Sequence, residues 1–231
     1  MKYAILTLAC FTAFASPAVA GLISGVVKGA DGSIVTAGQV TASRQPGGMT
    51  PRLGRTSAGA PILPDGAFHL PSLVDGLYQI CAQAPGTVWL NSCEWGHNGT
   101  TASLSSSQAS VQVPIVLTKG ALVTVRVNDA AQLLTTHEGK SPGAHLLLGV
   151  STDSHFFRSA GIISQDVAGR TYQMLVPFDR SINLSVASAF FQMSDVTGRA
   201  LPKSGNLIPV LVPSGHQPPT VLLNVSGRAS P

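Results

Sequence analysis

"YQICAQAPGTVWLNSCEW", residues 78–95, brings two cysteines, two tryptophans and a Pro-Gly pair into one short stretch. Tyr78, Ile80 and Ala82 alternate with Leu77, Gln79 and Cys81, the two-faced pattern of a strand with one side on a core. Pro85-Gly86 then lets the chain turn back, so that Cys81 and Cys93 can meet. A redox pair more often reads C-x-x-C, and a zinc site needs further ligands, for which His97 is the one nearby histidine. The simplest reading is a structural disulfide, Cys81–Cys93. Closing a loop of this size contributes about 3 kcal/mol on the chain-entropy view.

Such a bridge belongs to an oxidising compartment, and the amino end agrees. MKYAILTLACFTAFASPAVA has one cation, Lys2, an apolar run from Ala4 to Ala15, and the small-residue ending Ala18-Val19-Ala20. That is the layout of a secretory signal peptide, expected to be cleaved before Gly21. Cys10 lies inside it, without the surroundings of a lipoprotein signal. The run is far shorter than the ~20 residues a membrane helix needs, and no later stretch is apolar for long enough. The expected product is secreted or periplasmic and not membrane-spanning.

Charged residues make up 10% of the chain, against about 25% in an ordinary soluble domain. Gly, Pro, Ser, Thr and Val take their place, a mixture that builds pleated sheets and turns rather than helices. The net charge of +4 is thinly spread, with Arg44, Arg52 and Arg55 the only local cluster. No basic stripe is interleaved with aromatics, so no nucleic-acid partner is expected.

Strand-like runs cover 22–28, 34–43, 67–70, 77–84 and 111–118, with Pro114 marking the last as an edge or a bulge. Residues 44–60 and 98–110 read as loops. The pattern restarts at Gly120: Val123, Val125 and Val127 face one way, Leu122, Thr124 and Arg126 the other. Further strands are expected at 144–151, 156–165, 170–176, 182–188, 207–212 and 220–225. Ala130–Leu134 could make one helical turn. "GLYQI" at 76–80 is echoed by "RTYQM" at 170–174, a faint sign of duplication. The expected fold is all-β: two stacked antiparallel β-sandwich modules, residues 21–119 and 120–231, after a signal peptide at 1–20.

Residues 22–84 carry a more specific pattern. Ile23-Ser24-Gly25-Val26-Val27 is followed by Asp31-Gly32 and by Ala37-Gly38-Gln39-Val40. After the loop come Asp65-Gly66-Ala67-Phe68 and Leu73-Val74-Asp75-Gly76-Leu77-Tyr78. This resembles the carboxypeptidase regulatory-like domain, a transthyretin-like or CnaB-like β-sandwich found in secreted bacterial proteins. The resemblance implies a fold without protease chemistry. Glycan contact is also implied, because many relatives are classed with starch-binding-like folds. Related pilin-like sandwiches form Lys–Asn isopeptide bonds through a buried first-strand lysine; here Lys28 stands at a strand end, a place for a solvated amine.

Reactive clusters are not evident. No G-x-S-x-G elbow and no H-E-x-x-H occurs, and His69, His97, His137, His145, His155 and His216 are dispersed. Asp153-Ser154-His155 is the densest polar trio and reads as a turn. His145, in an apolar run, reads as a core histidine. The aspartates stand singly near turns, where they bond their own backbone. The expectation is therefore a non-enzyme with no catalytic residue, no cofactor and no metal. It would be an interaction or structural module with an unknown protein or glycan partner. The alternative is a carbohydrate-binding module using Trp89 and Trp95, whose rings could either stack on sugars or cover the Cys81–Cys93 bridge.

Overall fold

The computed structural model describes residues 20–46, 56–95, 99–136, 146–153, 155–202 and 206–228. The signal-peptide reading of residues 1–20 thus falls outside the described residues, except for Ala20. So do Arg52, Arg55, His97, His137, His145 and Ser154.

Eight strands come first: β1 (Gly21–Gly29), β2 (Gln39–Arg44), β3 (Ser57–Pro61), β4 (Ala67–Leu73), β5 (Gly76–Gln83), β6 (Thr100–Leu104), β7 (Ser110–Gln112) and β8 (Ile115–Leu117). They form two sheets, β4-β1-β7 with β8 also on β1, and β3-β2-β5-β6. Alternation explains the facing. In β5, Tyr78, Ile80 and Ala82 are fully buried, and they meet Ile23, Val27, Phe68 and Leu70 of the opposite sheet in one core. The Tyr78 hydroxyl satisfies itself inside that core by donating to the Val74 carbonyl at 2.7 Å. Lys28 is exposed.

The second set comprises β9 (Gly120–Asn128), a single helical turn α1 (Leu133–Thr136), β10 (Leu147–Ser151), β11 (Phe157–Ser159), β12 (Gly161–Asp166), β13 (Gly169–Pro177), β14 (Ser181–Ala187), β15 (Phe191–Asp195), β16 (Asn206–Leu211) and β17 (Thr220–Arg228). Its sheets run β12-β13-β9-β17-β15 and β11-β10-β14-β16. Val123, Val125 and Val127 are wholly buried and pack with Leu148, Val150, Leu184 and Val186 from the facing sheet. The protein is all-β, two sandwiches in series, each with its own apolar core.

Both sandwiches follow one strand path. The first strand lies beside the last, and the two run parallel: β1 with β7 and β8, β9 with β17. The expected antiparallel sandwiches are thus present, with parallel pairing at this one place in each half. The last strand arrives by crossing over from the other sheet, and a crossover permits parallel entry. The path also corrects the duplication signal. By topology β5 corresponds to β14 and β13 to β4, so "GLYQI" in β5 and "RTYQM" in β13 hold different places.

Several bounds moved for local reasons. Pro114 has no N–H to give, and it splits the expected 111–118 strand into β7 and β8. Residues 98–110 contain β6, and β3 begins within 44–60; both are edge strands made mostly of Ser, Thr, Ala and Gly, a composition easily taken for loop. At Gly25 a β-carbon would stand 1.9 Å from the Val113 carbonyl oxygen. Only glycine admits that approach. Strand β12 is the one described strand of more than three residues exposed along its whole length.

Candidate functional site

The disulfide is present, joining Cys81 in β5 to Cys93 with 5.4 Å between their α-carbons. The intervening loop is braced from within. Thr87 Oγ1 donates to the Ala84 carbonyl at 2.6 Å and accepts from the Trp89 N–H at 3.1 Å. Ser92 Oγ accepts the Ala82 N–H at 2.9 Å, while Asn91 Oδ1 accepts the Cys93 N–H at 2.9 Å. Such short polar side chains bond nearby backbone by nature, so the loop has a definite shape.

That shape places the tryptophans. Val88–Leu90 runs alongside Thr118–Gly120, with Leu90 N–H on the Thr118 carbonyl at 2.9 Å and Gly120 N–H on the Val88 carbonyl at 2.8 Å. Trp89 packs on the first core, its ring lying against Gly29, where a β-carbon would be 2.2 Å from Cη2. The Lys119 ammonium stands 5.3 Å from the ring centroid, and Asp31 holds it at 2.8 Å. Lys119, with Ser33 assisting, keeps the Asp31 carboxyl well below the usual carboxylate range.

Trp95 goes the other way and packs on the second core. Its neighbour Glu94 accepts from Arg158 Nε at 3.1 Å and also from Arg158 Nη2, while the Glu94 carbonyl accepts the Asp153 N–H at 3.0 Å. The two residues directly after Cys93 thus grip the second sandwich. Neither tryptophan has both faces free, and each seals a different core. Together they line a cleft of about 430 Å³ where the sandwiches meet, with Leu122, Gln173 and Leu175 from the outer face of the second sandwich also lining it. Nothing in the sequence pointed to Glu94, Arg158 or Gln173, because partners so far apart have no local signature.

The other polar candidates are committed elsewhere. Asp31, Asp65, Asp166 and Asp195 each accept the backbone N–H two residues on. Asp129, buried, caps α1 through the Leu133 and Leu134 N–H groups at 2.9 and 2.6 Å. Asp153 is gripped by Arg180, and His155 has a left-handed backbone (φ 62°) in the turn after β10. His69 and His216 are exposed. Arg44 lies across Gly76 in the first sandwich. Among the described residues, no group of three or more His, Cys, Asp or Glu is placed to hold a metal ion. No described helix is long and apolar enough to cross a membrane.

Fold and cleft together define a two-sandwich β-protein with a disulfide-braced joint. The sequence matches no protein-family profile and no curated protein. Among solved structures it is similar to the streptococcal ancillary pilin, with a TM-score of 0.43 and 9% identity over 91% of this chain and 63% of that one. The minor pilin of Streptococcus agalactiae gives a TM-score of 0.40 and 9% identity, over 91% of this chain and 98% of that one. A candidate carbohydrate-binding protein of Pseudomonas aeruginosa gives 0.25 and 18% identity, over 43% and 88%. The chain spans less than two thirds of the ancillary pilin's length. The sandwich assignment rests on the sheets themselves.

Proposed function

We propose that this chain is an exported, non-catalytic β-sandwich protein with an interaction or structural role at the cell envelope or in the extracellular space. Residues 1–20 act as a cleaved signal peptide. Residues 21–119 form a module of the carboxypeptidase regulatory-like kind, and residues 120–231 form a second module. The observation that carries the reading is the clasp: Cys93, Glu94 and Trp95 in sequence join the bridge of one sandwich to the core of the other. A joint held this way transmits force or presents a fixed surface. Asp195 is engaged in its own turn, and Asp153 is paired with Arg180. A disulfide at the joint favours life outside the reducing cytosol.

Capture with the tagged, purified chain from its own cell-envelope fraction is the test, with intact mass measured on the exported material. A specific envelope partner and a mass starting at Gly21 are expected. Recovery of the uncleaved chain from the cytosol with two free thiols defeats the export reading, and turnover of a small substrate defeats the non-catalytic one. The second reading is glycan binding through Trp89 and Trp95. It is favoured by one observation, that both rings line the same cleft.

A further inference from the structure

We propose that the cleft between the sandwiches is a binding site for a short, neutral oligosaccharide. The inference rests on the second reading above and deepens it by fixing the ligand's charge and the walls that hold it. The cleft measures about 430 Å³ and lies at a junction between units, where ligand sites of roughly 300–1,000 Å³ commonly form. One wall carries Trp89 and Trp95 from the braced loop. Leu122 of β9 and Gln173 and Leu175 of β13, on the outer face of their sheet, line it as well, and Gln83 adds a second amide. Apolar aromatic surface beside amide groups suits a sugar ring, whose C–H face is apolar and whose edge is all hydroxyls.

Charge decides the class of saccharide. The charged side chains of the lining are Glu94 and Arg158, and they neutralise each other in a two-point pair. A carboxylated or sulfated sugar would need a cation not already engaged, and a cationic one would need an anion. A neutral ligand disturbs neither. The walls are also held ready: the bridge and its internal hydrogen bonds fix the loop, so little ordering opposes binding.

The test uses the purified chain with its bridge intact, titrated with cellohexaose, maltohexaose and chitohexaose and followed by tryptophan emission and calorimetry. At least one is expected to bind saturably with a shift in emission. Ile163 is a cleft-lining residue on the exposed edge strand β12, 56% accessible, so Ile163→Arg fills the cleft mouth without entering either core. That variant should bind at least tenfold more weakly at an unchanged melting temperature, and Gln173→Ala severalfold more weakly. The cleft assignment is overturned by sugar binding that survives Ile163→Arg, although loss of that binding in Trp89→Phe would leave the tryptophan reading standing. Preference for polygalacturonate overturns the neutral class. Binding of an extended peptide to the free edge of β12, with no sugar bound by the parent chain, overturns both.

Discussion

Arg158 holds Glu94 by two nitrogens across the joint between the sandwiches, its Nε lying 3.1 Å from Glu94 Oε2. Glu94 follows Cys93 directly, so the pair connects the bridged loop of the first sandwich to β11 of the second. The Arg158 side chain is about half exposed, the Glu94 side chain largely covered. An ion pair in that setting is worth little to overall stability, about 0.2–1 kcal/mol. What it fixes is geometry.

Arg158→Ala should therefore lower the unfolding free energy by less than about 1 kcal/mol yet loosen the joint. Urea denaturation gives the first quantity, and NMR relaxation of the two halves gives the second. Identical tumbling of both halves in variant and parent would show that the pair does not set the joint.

Replacing both Cys81 and Cys93 by serine removes the covalent closure of the loop. A loss of about 3 kcal/mol is expected from the chain-entropy contribution, concentrated in the first sandwich, whose β5 carries Cys81. The Trp95 contact with the second core should weaken in the same variant and red-shift the emission. An unchanged denaturation midpoint would count against a stabilising bridge.

Gly25→Ala should be far worse than an ordinary glycine replacement in a strand. The new carbon would stand 1.9 Å from the Val113 oxygen and 2.9 Å from the Phe68 ring, so β1 and the Val113–Pro114 segment would have to part. Overpacking of that sort costs about 1–3 kcal/mol or more. Thermal melts of Gly25→Ala beside Gly227→Ala, a strand glycine without a left-handed backbone whose β-carbon would meet nothing within 4 Å, isolate the steric part.

Acid should destabilise the protein through its surface carboxylates. Lys119 holds Asp31 below its ordinary range, Arg126 does so for Asp166, Ser214 for Asp179 and Thr197 for Asp195. A depressed folded value means that the unfolded chain takes up protons first. The stabilisation is thus complete above the unfolded value, near about 3.9, and is lost as pH falls through the folded values. Denaturation midpoints should be flat from neutral pH to about pH 5 and fall below about pH 4. Asp31→Asn should flatten part of that fall. Midpoints that rise below pH 4 would reverse the assignment.

How much could be read before folding differs from element to element. Val123, Val125 and Val127 of β9 and Tyr78, Ile80 and Ala82 of β5 announced their buried faces, because strand side chains alternate and each residue's polarity is local information. The pairing of Cys81 with Cys93 was legible for the same reason, with a turn lying between them. Strands β3 and β6 were not, since Ser, Thr, Ala and Gly show little contrast in polarity between two faces, and the five residues of β15 are too few to set a period. Topological equivalence was beyond reach as well: the repeated Tyr-Gln dipeptide paired β5 with β13, while the shared strand path pairs β5 with β14.

By itself the sequence determined the class of fold and the covalent brace, since alternation, turn residues and cysteine spacing act over a few neighbouring positions. The tertiary structure alone decided where the two tryptophans point, which distant arginine meets Glu94, and that a cleft opens between the sandwiches. Those depend on how two finished surfaces meet. Contacts of that kind join residues with no proximity along the chain, so no local pattern encodes them.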